Sequence, residues 1–205
     1  MSPRRNQHST PRKTTKPEPS FVRVIGGEWR SRKLAFPDSA GLRPTPDRVR
    51  ETLFNWLQAY TAGARCLDLF SGSGALAFEA LSRGAAQATL IDASHQVCRS
   101  LKQNLNDLKA QNAEVLEAEA HHWLARQQGD CGQRYDLIFL DPPFNQGLVE
   151  PICELLETQQ LLAADSIVYI ESEKTLGVPK VPKNWVLYRE KQAGQVSYRL
   201  YKRTP

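Results

Sequence analysis

The residues best suited to chemistry lie where apolar runs end. Residues 135–140 (YDLIFL) lead directly into Asp141-Pro142-Pro143-Phe144. A residue before proline is pushed toward extended backbone, and each proline fixes its own φ and removes a donor. The motif therefore reads as a stiff pair of acceptors, the Asp141 carboxylate and the Pro142 carbonyl. An amino group with two hydrogens can donate to both, which aims its nitrogen lone pair at an electrophile. Phe144 offers a flat apolar face on which a base could stack, worth about 1–3 kcal/mol. A base entering such a slot must leave its stack or come from a single-stranded loop. The plain alternative is a Pro-Pro loop with a core phenylalanine.

A second cluster follows an earlier apolar run, residues 65–70 (RCLDLF), which contains Asp68 and leads into Gly72-Ser73-Gly74. Glycines there can take positive φ and let a ligand approach the backbone. The spacing through Ala77 also fits the dinucleotide pattern G-x-G-x-x-A, so a nicotinamide-dependent oxidoreductase is a rival reading. A pyrophosphate gains little from Asp68, whereas a cation is attracted to it. S-adenosylmethionine carries an ammonium and a sulfonium and no phosphate, so it suits that acid. Asp92 ends the next apolar run, where a carboxylate can accept from two ribose hydroxyls of either cofactor. His8, His95, His121 and His122 fit no nucleophile or metal pattern, and no metal site is expected.

These residues need a frame that holds strand ends together. From residue 65 onward, strands expected at 65–70, 87–92, 113–118, 135–140 and 166–171 alternate with helices at 75–83, 95–109 and 147–157. Trp123 lies in a short helix between the third and fourth of these strands. Residues 185–190 and 195–201 read as a closing antiparallel pair around Gly194. Such alternation implies right-handed crossovers and a mostly parallel sheet covered by helices on both faces. Ligands then gather at the carboxyl ends of the strands near the switch in strand order. Upstream, residues 21–36 read as a β-hairpin turning at Gly26-Gly27. Thr45 is the expected N-cap, and Pro46 the first residue, of an amphipathic helix carrying Val49, Leu53, Trp56, Leu57 and Tyr60. The division expected is a tail over 1–20, a hairpin appendage over 21–40 and a main domain over 41–205.

Charge points to a polyanion partner. The 205 residues carry a net +5, but residues 51–182 alone carry −8 between basic ends. The tail, with four prolines and Met1 as its one apolar side chain, reads as disordered. Arg23, Arg30, Arg32 and Lys33 decorate the hairpin around Trp29, and together they make a candidate RNA platform. A hairpin whose tryptophan packs on the core is the competing reading. Cys66, Cys98, Cys131 and Cys153 form no C-x-x-C pair, which favours reduced thiols in a cytoplasmic protein. No apolar run approaches the roughly 18 residues of a membrane helix.

The chain also resembles a known family. Residues 23–36 (RVIGGEWRSRKLAF), 41–57 (GLRPTPDRVRETLFNWL), 67–84 (LDLFSGSGALAFEALSRG), 141–144 (DPPF) and 192–202 (QAGQVSYRLYK) look like the RsmD family. Its members are class I, Rossmann-like methyltransferases acting on a guanine N2 amine of bacterial 16S ribosomal RNA. The resemblance spans roughly residues 21–202. It implies a seven-stranded sheet, S-adenosyl-L-methionine as cofactor, and a small ribosomal subunit or its assembly intermediate as substrate. By position, Asp68, Gly72 and Gly74 would hold the methionine end of the cofactor and Asp92 the ribose. Glu119 and Ala120 would lie beside the adenine, although the family often has Asp-Ala there. Asp141, Pro142 and Phe144 would hold the guanine, and the enzyme is expected to be a monomer. Methylation of another exocyclic amine, such as adenine N6, and a binding-only assembly factor are the remaining alternatives.

Overall fold

The computed structural model describes residues 20–37, 44–127 and 134–204. The tail reading over 1–19 and Cys131 lie outside the described residues, as does the part of the Gly41 loop before Pro44.

Five strands alternate with helices before the chain doubles back. The order is β1 (Ser20–Arg23), β2 (Lys33–Phe36), α1 (Asp47–Trp56), β3 (Arg65–Asp68), α2 (Ala75–Ser82), β4 (Gln87–Asp92), α3 (His95–Leu108), β5 (Ala113–Glu117), α4 (Ala120–Ala125), β6 (Tyr135–Leu140), α5 (Val149–Thr158), β7 (Leu162–Glu173), β8 (Trp185–Ala193) and β9 (Val196–Arg203). Seven strands form one sheet in the order β5-β4-β3-β6-β7-β9-β8. Pairing is parallel from β5 across to β7, and β9 runs antiparallel to both its neighbours. The expected Rossmann-like, mostly parallel sheet with its closing hairpin is present. Strand order reverses between β3 and β6, so their carboxyl ends flank the crevice where this architecture binds ligands.

Two apolar layers cover the sheet. One contains Leu53 and Phe54 of α1, Phe78 of α2 and Leu101 of α3, together with Val22, Val24, Leu34 and Phe36 of the hairpin region. The other contains Leu124 of α4, and Ile152 and Leu156 of α5 with Trp185. The central strands are therefore buried on both faces, which explains their unbroken apolar runs.

Three local expectations are corrected. Gly26-Gly27 is not a tight hairpin tip. The link from Val24 to Arg32 continues the pairing through Val24 N–H to Arg32 C=O at 2.9 Å, and its glycines lie against α2. A Cβ on Gly27 would stand 1.8 Å from the Ser82 carbonyl oxygen, so glycine serves close approach there. Thr45 does not cap α1. Pro46 occupies the cap position without a side-chain hydrogen bond. Finally, β7 extends from Leu162 to Glu173, well past the expected 166–171, because β9 pairs with it as far as Glu173.

A buried glutamate holds the hairpin to the domain. Glu79 of α2 is fully buried. Its carboxylate accepts from the backbone N–H groups of Ile25 at 2.7 Å and Gly26 at 2.8 Å. It also pairs with Arg83 at 2.7 Å and with buried Arg50 at 3.6 Å. Arg50 in turn donates to the Arg23 carbonyl and to Asp47. The RPT-x-DRVRE segment thus carries the clamp's cation.

Candidate active site

Register brings the acidic residues of three strands to one edge. Asp68 pairs across with Phe139, and Leu140 with Ile170. Asp141 and Glu171 each follow one residue further along their parallel strands. Asp68 and Glu171 are buried and Asp141 is half-buried. Among the described residues, no lysine or arginine forms an ion pair with any of the three. Burial is the largest cause of a rise in all three carboxyl groups, and it pushes Asp68 up to about 7. The charges of Glu171 and Asp68 raise Asp141 further, while the Thr45 hydroxyl, 3.5 Å away, opposes that rise. Three desolvated carboxyls that no described lysine or arginine pairs with form a place where a cationic ligand would be neutralised.

Beside it, the glycine turn is fixed by the next strand. One Asp92 oxygen accepts from Gly72 N–H at 2.9 Å, and the other from Ser94 N–H at 2.8 Å. Each oxygen keeps capacity for a ligand hydroxyl. Gly72 has φ +49° and Gly74 φ +75°. At Gly74 a Cβ would lie 2.4 Å from Phe78 and 2.7 Å from Leu101, so the turn presses on the core below it. Asp68, Gly72, Gly74 and Asp92 are thereby brought together at the carboxyl ends of β3 and β4.

The remaining sequence-derived residues fall around it. Pro142 is buried and Phe144 is 36% exposed, leaving part of its ring open. After Phe144 the chain turns through Asn145, at φ +60°, whose N–H donates to Glu173 at 3.1 Å. Glu119 and Ala120 follow β5, next to Asp92, whose carbonyl accepts from Ala118 N–H. Ala120 is buried, but the Glu119 carboxylate pairs with His122 at 2.7 Å. Trp29 packs edge-on against Phe78 with centroids 6.5 Å apart, while remaining half-buried. Arg23 faces Asp47 at 3.6 Å, and Arg32 donates to the Asp107 carbonyl. Arg30 and Lys33 are exposed and form no ion pair with a described residue.

Sequence reasoning missed Thr45 and Glu171. Thr45 was assigned to capping, and its contact with Asp141 spans 96 residues. Glu171 left a readable sign, a lone acid ending the apolar run SIVYIE at the same edge as Asp141.

The chain is similar to known proteins over most of its length. The family model described as "Conserved hypothetical protein 95" matches residues 22–202. Ribosomal RNA small subunit methyltransferase D of Escherichia coli is 54% identical over 182 residues, covering 89% of this chain and 90% of the relative. The chain belongs to the RsmD family. The Haemophilus influenzae protein of the same name is 46% identical, covering 88% of this chain and 93% of its own length. A solved Escherichia coli structure described as a methyltransferase superposes with a TM-score of 0.84 at 50% identity, covering 91% of this chain and 99% of the other. Among the described residues, no helix is long and apolar enough to cross a membrane.

Proposed function

We propose that this RsmD-family chain uses S-adenosylmethionine to methylate the exocyclic N2 amine of a guanine in 16S ribosomal RNA, on a small subunit or its assembly intermediate. The observation that carries this reading is a trio of carboxyls, two buried and one half-buried, that no described lysine or arginine pairs with, set beside a glycine turn at the sheet's switch point. The acids suit an ammonium and a sulfonium, and they would repel a pyrophosphate. The names of the relatives favour ribosomal RNA as the substrate, and the family resemblance favours guanine N2.

In this reading Asp68 and the Gly72–Gly74 turn hold the amino-acid end of the cofactor, and Asp92 holds its ribose. Ala120 would lie beside the adenine, with Glu119 at its margin. The cofactor supplies an electrophilic methyl group on sulfur. A flipped guanine stacks on Phe144, and its two N2 hydrogens are accepted by the Asp141 carboxylate and the Pro142 carbonyl. The guanine nitrogen lone pair would form the new N–C bond, and the electron pair of the C–S bond would remain with the departing sulfur. The surplus N–H proton passes to Asp141. No strong base is needed beforehand, because methylation itself acidifies the nitrogen. Arg23, Arg30, Arg32 and Lys33 grip phosphates from the hairpin, and Trp29 braces that ribbon with one face on the core.

The test is transfer of a labelled methyl group to isolated small subunits that lack the modification, followed by mapping of the product nucleotide. Wild-type protein is expected to methylate one guanine at N2. Asp141→Ala is expected to lose transfer while S-adenosylhomocysteine still raises its melting temperature. Transfer by the variant at the wild-type rate would remove the proposed role of Asp141. A methyl group mapped to a different atom would remove the guanine N2 assignment.

A further inference from the structure

Glu171 has no part in the chemistry described so far, yet it is buried beside the group that does. It lies in β7 one residue beyond the Leu140–Ile170 pair, and Asp141 follows Leu140 at the end of β6. Its hydrogen-bond partner among the described residues is the Tyr169 hydroxyl, which donates to Oε2 at 2.8 Å. Tyr198 faces it across the antiparallel pair with β9. The other ionisable groups around this point are Asp141 itself and Asp68 on β3, with the neutral Thr45 hydroxyl approaching from the segment before α1. Among the described basic residues, Arg199 pairs with Glu190 and donates to Ser172, Arg50 serves the Glu79 clamp, and the Arg48 charge acts on the neighbouring Tyr198.

Two carboxyls buried side by side without a cation do not both ionise readily, and they titrate as a pair. We propose that Glu171 is a positioning residue that acts through Asp141: the two share one proton while the site is empty, and entry of a cation displaces it. Asp141 then becomes a full acceptor only once the cofactor's sulfonium is in place. The arrangement favours ordered binding, cofactor before base, and it distinguishes the charged cofactor from its neutral product. In electrostatic terms, both carboxyls are raised mainly by burial, and Asp141 more strongly because it also feels Glu171 and Asp68. The proton displaced on binding leaves to solvent, so no further reactant is required.

This inference rests on the methyl-transfer reading, and its test separates the two. Calorimetric titration in buffers of different ionisation enthalpy counts the protons released when S-adenosylmethionine or S-adenosylhomocysteine binds the intact protein near neutral pH. Wild-type protein is expected to release more protons with the sulfonium ligand than with the neutral one. In Glu171→Gln, Asp141 loses the neighbouring charge that adds to its rise, so less of it is protonated in the empty site and that excess should shrink. Asp68 contributes equally to both proteins and cancels in the comparison. The acid limb of cofactor affinity against pH should move lower by about one pH unit, the coupling expected of such a pair. Tyr169→Phe, which removes the donor that favours the Glu171 charge, should hold the shared proton more tightly and move the limb the other way, to higher pH, by less.

A Glu171→Gln protein with wild-type proton release and an unchanged pH profile overturns the proposal, whether or not its melting temperature falls. Wild-type protein that binds the charged cofactor with no excess proton release overturns it as well, while leaving methyl transfer standing. Failure of wild-type protein to bind S-adenosylmethionine at all defeats both readings together.

Discussion

Replacing Glu79 with alanine should cost this protein a large share of its stability, and the site shows where the loss arises. Glu79 is fully buried and satisfies two backbone donors, Ile25 N–H and Gly26 N–H. A buried donor left unpaired costs about 1–3 kcal/mol, and water entering the new space holds each nearer the lower end. Arg50 keeps Asp47 at 2.7 Å and two backbone carbonyls, so losing the 3.6 Å contact to Glu79 adds about 1–2 kcal/mol rather than the full penalty of a broken buried pair. The exposed part of Arg83 is solvated in either protein and adds little. The sum is roughly 3–5 kcal/mol against the about 5–15 kcal/mol total typical of a domain. At about 2–4 °C per kcal/mol for this size, the midpoint should fall by roughly 10 °C. Thermal and urea denaturation measure that loss. Hydrogen exchange at the Ile25 and Gly26 amides locates it, because these should open well before amides of β3 or β6. A variant within about 1 kcal/mol of wild type, with both amides still protected, would show that the clamp is not what holds the hairpin.

Two further outcomes follow from the same geometry. Asp68 is raised by burial from an ordinary carboxyl value to about 7, so the native state holds a proton there that the unfolded chain has lost. Stability of the ligand-free protein should therefore decline as pH rises from about 4 to about 7, by up to about 1.4 kcal/mol per pH unit from this group. Asp68→Asn should flatten that decline in urea titrations at pH 5 and pH 7.5, and equal slopes in the two proteins would refute the burial argument. Neutralising Arg30 and Arg32 should flatten the salt dependence of RNA binding by about 0.7–0.9 log units per lost phosphate contact, and an unchanged slope would return the hairpin to a purely structural role.

The parallel core was legible in the sequence because period and punctuation agreed: β4 and β6 fall at the expected bounds. Asp92 and Asp141 were legible for a related reason, since an acid that stops an apolar run marks a strand's carboxyl end, and Asp68 stood out by the glycine turn that follows it. What escaped were contacts between distant segments. Thr45 carried a sound local signal for capping, but Pro46 took that position and freed the hydroxyl for a partner 96 residues away. Gly26 and Gly27 carried a sound local signal for a turn, but the close approach of Ser82 used them instead. Glu79 sat inside an apolar helix with no local clue to the amides it would receive. In each case tertiary packing chose among locally acceptable options.

The one reversed strand has a consequence for how the chain is made. β9 lies between β7 and β8, so the free edge of β7 finds its neighbour only after residues 196–203 have been synthesised. Until then a long apolar ribbon, Ile167 to Ile170, waits unpaired on one side while the ribosome is still elongating the polypeptide. Vectorial folding can complete β5 through β7 but must pause there. Premature stops or proteolytic trimming upstream of residue 196 should thus yield a sticky, chaperone-dependent fragment rather than a slightly shortened enzyme.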